Sequence, residues 1–472
     1  MKCWTWLLTG LLALASCSSG EAVEQQQKPN IIFIMADDLG YGHLGAYGQE
    51  KIRTPNLDWL AAQGMKFLNA YAGESVCAPS RSVLMTGLHM GHTPIRANGQ
   101  GMYLNDEDLT LAEVLQQAGY STGAFGKWGL GDEGDPGHPN RQGFDEFFGQ
   151  LDQVHAHFYY PYWVWHNQEK YALPQNEGEQ RSQYVQDEIH AKALDFIRRN
   201  KERPFFAYLP YILPHVELVV PEDSEHPYRD QFPKVSILDS REGYIGSDHG
   251  YATYAGMISR LDRQVGEVMA LLKELNLEED TLVIFTSDNG AQGGQRWGQL
   301  VEFFDGTGGL RGSKGEVYEG GIRVPLIAHW PGRIEAGSVT DHVCYFADVM
   351  PTLAEVAGAK PPQEIDGISF LPTLLGQEGQ QTHPYLYWAH YQSYAERPSS
   401  QAVRMGNWKG VQPAPDAPLE VYDLESDVAE TRDVSQDNPE VTEQIGAAMQ
   451  QAFTERRRFE PEPNPTRSDF VR

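Results

Sequence analysis

Cys77-Ala78-Pro79-Ser80-Arg81 sets a thiol, a nucleophile precursor, four residues ahead of a guanidinium. Proline suits the first turn of a helix, where its missing N–H costs nothing. Val83, Leu84 and Leu88 follow at helical spacing. The spacing therefore predicts Cys77 where a loop enters a helix, beside unpaired backbone N–H groups that attract anions. Arg81 falls one turn further along on the same side. Asp37-Asp38 comes directly after the apolar run 29–36. Two adjacent carboxylates at such a place repel each other unless a cation lies between them. Asp288-Asn289 follows a second apolar run, 281–287, and Lys127 follows a third, 120–125. His215 stands just past a fourth, 204–212. Lys314 lies within the glycine-rich stretch 308–321, whose glycines allow close approach to a ligand. The Gly-x-x-x-x-Gly-Lys-Ser/Thr spacing of a nucleotide loop is absent from that stretch. Cations and acids gathered around one cysteine would suit a tetrahedral anion.

The elements that must position these residues are legible from periodicity. Continuous apolar runs indicate strands of a parallel sheet covered on both faces. The polar residues stand at their carboxyl ends, the edge where open α/β sheets bind ligands. Thr54-Pro55 opens a helix that Gly64 closes, and Thr110-Leu111-Ala112-Glu113 is a capping box before another, ended by Gly119. Further helices are predicted over 184–198, 254–275 and from 348. Residues 216–250, rich in proline and polar side chains, indicate a surface excursion. Beyond about residue 378 short alternating strands appear, at 385–389, 402–404, 408–411 and 420–424, then a helix over 438–453 and a polar tail. In the loop 89–98, Arg96 and Asn98 either line the mouth of the site or are ordinary loop residues.

The 472 residues hold one large domain plus a smaller one, or two to three average ones, and 40% hydrophobic with 11% aromatic residues supplies a sizeable core. The formal net charge of −28 argues against nucleic acid as a partner, and means that an anionic substrate needs a local cationic pocket. Residues 1–17 have a basic start at Lys2 and an apolar stretch 4–14 too short to span a bilayer. They end in Leu14-Ala15-Ser16-Cys17, which resembles a bacterial lipobox. The expectation is export to the periplasm or cell surface with a lipid anchor at Cys17, residues 18–28 forming a flexible tether. The membrane is then met only through that anchor. With Cys17 acylated and Cys77 modified, Cys344 would stand alone, so the fold is expected to hold without disulfides.

In this order the segments resemble the formylglycine-dependent sulfatases of the alkaline phosphatase superfamily, over residues 29–455. Cys-x-Pro-Ser-Arg is similar to the family signature. Asp37-Asp38-Leu39-Gly40-Tyr41-Gly42 and Asp288-Asn289-Gly290 resemble its metal segments, and Pro214-His215 and Arg311-Gly312-Ser313-Lys314 its sulfate-contacting ones. The resemblance implies an α/β fold: a large mixed, mostly parallel sheet sandwiched by helices, with a small carboxyl-terminal subdomain of antiparallel sheet and helix. Residues 29–377 would form the catalytic domain and 378–472 the subdomain and tail. It implies that a maturation enzyme oxidises Cys77 to formylglycine. Asp37, Asp38, Cys77, Asp288 and Asn289 would hold Ca²⁺, with Mg²⁺ the second choice. Arg81, Lys127 and Lys314 would neutralise sulfate oxygens, and His215 would contact the ester. The implied activity is hydrolysis of a sulfated carbohydrate or other sulfate ester; phosphate or phosphonate ester hydrolysis on the same fold is the alternative. Two departures stand out. His43 replaces an acid common in the family, and Gly129 replaces the histidine of the usual Gly-Lys-Trp-His-Leu-Gly. His155 or His157 is expected to substitute for that histidine or grip the substrate, and the aromatics around Trp163 and Trp165 to stack on a sugar; the other reading is a packed insertion.

Overall fold

Every residue of Asn30–Ala36 is buried, and together they form strand β1. A strand with no polar face has to lie inside a sheet covered on both sides, and the computed structural model places it there. The structure describes residues 1, 28–239 and 244–471; the expected export signal apart from Met1, Cys17, and the expected tether apart from Lys28 lie outside them.

Among the described residues the strands form two sheets. The large one adds β2 (Met65–Tyr71), β3 (Ser121–Lys127), β4 (Glu146–Gln150), β5 (Trp163–His166), β6 (Glu169–Ala172), β7 (Phe205–Pro210), β8 (Thr281–Ser287), β9 (Leu326–His329) and β10 (Ser338–Tyr345). Its order is β10-β2-β9-β8-β1-β7-β3-β4-β5-β6. The central run β8-β1-β7-β3-β4 is parallel, whereas β9 is antiparallel to both neighbours, as are the β5–β6 pair and its junction with β4. Ala36 pairs with Ser287 in register, so Asp37 and Asp288 emerge side by side.

Alternate side chains of β1 enter opposite cores. Ile31, Phe33 and Met35 join one with Val83 and Leu84 of α2 (Cys77–Thr86), Leu111 and Leu115 of α3 (Leu111–Gln117) and the helix Val349–Val356. Ile32 and Ile34 join the other with α1 (Pro55–Gln63), α4 (Val185–Asn200) and α6 (Gly250–Glu274), α5 being Glu222–Arg229. This is the sandwich implied by the sequence resemblance. The capping box of α3 forms: Thr110 N donates to Glu113 Oε2 at 2.8 Å.

The small sheet, β11 (Leu386–His390), β12 (Ser400–Met405), β13 (Trp408–Gln412) and β14 (Glu420–Asp423), is antiparallel throughout and packs with the helix Pro439–Ala452. It shares the first core, and Trp388 Nε1 donates to Ala72 O at 2.9 Å just ahead of α2. The stretch 216–250 is only partly the surface excursion its prolines and polar residues indicate: 229–236 has no buried residue, but its first part packs inward. Val216, Leu218, Val220 and Tyr228 are buried, and Pro221 opens α5, whose Tyr228 hydroxyl meets Ser259 of α6 at 2.6 Å. Cys77 and Cys344 are free thiols, and no helix of the described residues is long and apolar enough to cross a membrane.

Candidate active site

Beyond their last residues β1 and β8 go on bonding to each other. Asp288 N donates to Ala36 O at 3.0 Å, Asp38 N to Asp288 Oδ1 at 3.1 Å and Leu39 N to Ser287 Oγ at 2.9 Å. These bonds hold Asp38 in a left-handed conformation, φ 66°, that a non-glycine residue seldom adopts. Asn289 Nδ2 donates to Asp38 Oδ1 at 2.8 Å. Next in the turn stands His43, whose Nδ1 accepts from Gly40 N at 2.9 Å. Burial drives its pKa down to about 3, so the ring is neutral, and with Nδ1 engaged by Gly40 N and Nε2 3.4 Å from the Tyr254 hydroxyl it braces the acidic turn.

Helix α2 begins at Cys77, and Asn98 Oδ1 accepts from Ala78 N at 2.9 Å, capping its open end. Arg81 is wholly buried. Its Nε and Nη2 lie 3.1 and 2.7 Å from Asp288 Oδ2, its Nη2 lies 3.4 Å from Asp37 Oδ2, and its Nη1 donates to Lys127 O at 2.6 Å. Arg81 thus holds the two acids and the end of β3 together; it does not line the cavity. Lys127 Nζ lies 2.8 Å from Asp37 Oδ2 but off the hydrogen-bonding direction, which leaves both atoms without a directed bond. Lys314 arrives on the glycine-rich loop, which docks through Lys314 N to Ala291 O and Gly315 N to Ser75 O, both 2.9 Å. Glycine is required in that junction, because a Cβ on Gly290 would stand 1.9 Å from Gly320 O. Lys314 Nζ reaches Asp38 Oδ1 at 2.6 Å, Cys77 Sγ at 3.3 Å and His215 Nε2 at 3.1 Å. His215 Nδ1 faces Val216 O at 3.3 Å, and His157 stacks on its ring with centroids 4.9 Å apart.

The electrostatics follow from burial against this charge set. Burial would raise Asp37, but the cations around it, Lys127, Arg81 and Lys314, outweigh it and hold the carboxyl well below its usual range. Burial prevails at Asp38, against Lys314 and with help from Asp37 and Asp288, and lifts it to about 6. Burial pushes the Cys77 thiol up to about 12 despite Lys127 and Lys314, and takes His215 well below its usual value, leaving it neutral. Asp37, Asp38, Cys77 and His215 bring potential ligand atoms within 4.8 Å of one another. Buried Asn289 Oδ1 has no hydrogen-bond donor, and Asp37 Oδ2 has two cations beside it but no directed bond. Unsatisfied buried oxygens among crowded acids fit a hard divalent cation, and the Lys314 ammonium already shows that the acids attract positive charge.

The remaining expected residues divide. Asn98 and His157 line the cavity that opens over Cys77. Arg96 does not: its buried guanidinium donates to Thr93 O at 2.9 Å and to Thr454 O at 2.8 Å, tying down the carboxyl-terminal tail. His155 is fully buried, its Nε2 against Trp163 O at 3.1 Å and its ring stacked 4.2 Å from Phe470. It cannot stand in for the family histidine, and Trp163 and Trp165 pack with it or beside it, away from the cavity. At Gly129, φ +78°, a Cβ would meet Gln153 Nε2 at 2.0 Å, so the Gln153 carboxamide fills the space beside this glycine. Sequence reasoning missed Gln153, Asp132, Asp152, Glu462 and Asn464, all of which line the cavity. Their one signal was composition, polar residues in loops, which does not separate them from solvated turns.

A helix start, a cation-seeking acid cluster and buried cations at the carboxyl edge of this mixed sheet define a hydrolase of the alkaline phosphatase-like class. Comparison with known proteins narrows the class. The sulfatase family model matches residues 29–359, and the model of the N-sulphoglucosamine sulphohydrolase carboxyl-terminal region matches 313–458. N-acetylgalactosamine-6-sulfatase of Canis lupus familiaris is 33% identical over 434 residues, spanning 84% of this chain and 74% of its own. Arylsulfatase A of Homo sapiens is 35% identical over 431 residues, spanning 84% and 76%. The crystal structure of Ps i-CgsB in complex with k-i-k-neocarrahexaose superposes with a TM-score of 0.75 at 30% identity, covering 90% of this chain and 92% of that one. The chain belongs to the sulfatase family and is an enzyme of that class.

Proposed function

We propose that this sulfatase releases sulfate from a sulfated carbohydrate, with residue 77 oxidised to formylglycine as its nucleophile. The observation that carries the reading is the convergence of Asp37, Asp38, Asp288, Arg81, Lys127 and Lys314 on the first residue of α2. The sugar is inferred from relatives named for N-acetylgalactosamine 6-sulfate and from the neocarrahexaose complex.

An unmodified Cys77 would serve poorly, since its thiol stays protonated at neutral pH and a sulfated thiol would have no internal route to expel sulfate. As a hydrated aldehyde, residue 77 offers one hydroxyl to attack sulfur while the ester S–O bond breaks and the alcohol departs. Loss of the second hydroxyl's proton then breaks the C–O bond to the sulfate, which leaves as the aldehyde reforms. Ca²⁺, with Mg²⁺ second, would be held by Asp37, Asp38, Asp288, Asn289 and residue 77, and when bound supplies Lewis-acid stabilisation of negative oxygen. Lys314 lies at the cavity floor, where its ammonium can face a sulfate oxygen as charge develops. Val216 O can only accept, so His215 Nδ1 carries the proton and Nε2 accepts from Lys314. The departing alkoxide is then protonated through the Lys314–His215 pair. Lys127 and Arg81 keep Asp37 ionised, and Arg81 holds Asp37 and Asp288 in place. Export and a lipid anchor at Cys17, resting on Leu14–Cys17, complete the reading; Cys17→Ala protein should move from the detergent to the aqueous phase on Triton partition.

Paired rates on aryl sulfate and aryl phosphate test the chemistry. Sulfate release is expected to dominate, to fall on chelation and to return with Ca²⁺ more than with Mg²⁺; faster phosphate release would overturn the proposal. Mass spectrometry of the residue 77 peptide from the native host should show the aldehyde or its hydrate.

A further inference from the structure

The chain does not end at the small subdomain's last helix. Residues 459–471 lie beyond both matched family regions, yet they return to the catalytic domain. Arg457 pairs with Asp108 at 2.8 Å, and Phe459 packs edge-on against Tyr103 with centroids 5.9 Å apart. At the far end Phe470 is buried, stacks on His155, and its carbonyl accepts from Tyr162 N at 2.9 Å. Between these anchors Glu462 N donates to Tyr394 Oη at 3.3 Å, and the Tyr394 hydroxyl donates to Gln100 O at 2.6 Å. The span so fixed puts Glu462 and Asn464 into the wall of the cavity above Cys77, a space of about 630 Å³.

That cavity is lined by far more acids than cations. Lys314 is the one lysine or arginine among its described lining residues, and it lies at the floor beside Cys77 and His215. The rest of the lining carries Asp132, Glu133, Asp135, Asp152 and Glu462, interspersed with the carboxamides of Gln153 and Asn464. Carboxylates and carboxamides bond sugar hydroxyls well, and they repel a second anionic group brought in with the substrate. The geometry points to a tail-built specificity wall: Glu462 and Asn464, with Asp132 and Asp152, admit an uncharged, hydroxyl-bearing sugar whose only anion is the sulfate being cleaved. They turn away a sugar that carries a second sulfate or a uronate. This rests on the proposed carbohydrate sulfatase reading and adds to it the charge of the acceptable sugar.

Glu462 and Asn464 are exposed, so their substitution leaves the core untouched. The full-length matured protein, Glu462→Gln and Asn464→Ala would be assayed on 4-nitrophenyl sulfate, on hexoses monosulfated at each hydroxyl, and on the best of these bearing a second sulfate. We expect the unaltered protein to favour the monosulfated over the disulfated hexose at least tenfold in kcat/KM. Glu462→Gln should shrink that preference at least threefold, chiefly by improving the disulfated substrate. Asn464→Ala should raise KM for the monosulfated hexose severalfold more than for the aryl sulfate. An unchanged preference in Glu462→Gln, or an equal loss on all substrates, overturns the wall. Cleavage of aryl sulfate without discrimination among the sugars defeats this inference alone, whereas absence of sulfate release from every substrate defeats the sulfatase mechanism beneath it.

Discussion

Two buried ion clusters in this molecule are built from the same ingredients and come to opposite ends. Under the small sheet, Lys409 Nζ lies 2.9 Å from both Glu319 Oε1 and Glu430 Oε1. Glu319 Oε2 accepts from the Tyr71 hydroxyl at 2.8 Å, and Glu430 Oε2 from Glu319 N at 2.7 Å. Each of these acid oxygens therefore has a donor or a cation beside it. Burial would raise Glu319, but Lys409, Arg323 and Arg404 outweigh it and hold it ionised. At the end of β1 the acids are again matched by buried cations, and burial lifts one acid in each cluster, Glu430 to about 7 and Asp38 to about 6; yet here Asn289 Oδ1 has no donor and the cluster opens onto a cavity through Lys314 and Cys77. The closed cluster ties two sheets together. The open one keeps unmet demand for charge, and that demand is what a metal and a sulfate can answer.

The contrast breaks most visibly at residue 77. Cys77→Ala should lower kcat by about 10⁴–10⁶-fold and move thermal stability by no more than about 1 kcal/mol, as steady-state rates and calorimetry would show. Lys409→Met should do the reverse. Leaving Glu319 and Glu430 buried without their shared cation is expected to cost about 3–5 kcal/mol in denaturant unfolding, with kcat per folded molecule unchanged. An active-site loss equal to that of Cys77→Ala would show that the two clusters are not separate. Lys314→Ala should reduce kcat about 10²–10³-fold with a smaller change in KM. The smallest effect concerns His155, whose pKa burial takes down to about 3. Unfolded, it titrates near 6.5, so the unfolded chain binds the extra proton and stability is lost as pH falls from about 6.5 toward 3. His155→Gln should flatten that decline by about 1.4 kcal/mol per pH unit, read from unfolding midpoints at constant ionic strength, with the pH–rate profile unmoved. A shifted profile would make His155 part of the chemistry after all.

How legible each feature was depended on how far its cause lies along the chain. Asp37, Asp288 and Lys127 were readable because an apolar strand and the polar residue ending it are neighbours in sequence. Cys77 was readable because Pro79 and the helical spacing beyond it fix a helix start locally. Strands β2, β4, β5, β6 and β10 were not recognised: β2 mixes buried and partly exposed positions, β10 is buried only at its last two residues, β4 to β6 span four or five residues each, and such patterns also suit loops. Arg96 and His155 show the other limit. A cation or an imidazole in a polar loop looks the same whether it will face substrate or a distant backbone carbonyl. Both are claimed by the tail, through Thr454 and Phe470, and nothing near residue 96 or 155 announces that. Glu462 and Asn464 went unseen for the same reason, approached from the tail's side.

The pairing of Ala36 with Ser287 has a consequence for how the protein comes into being. Asp38 and Asp288 meet across 250 positions of chain, so a growing polypeptide owns no half of this centre that works alone. Contacts so distant in sequence form slowly, and sliding one strand by a single residue would turn every side chain to the opposite face. Ion affinity should therefore appear late in refolding, together with the last cooperative step, and would serve as a clock for when the central strands have locked.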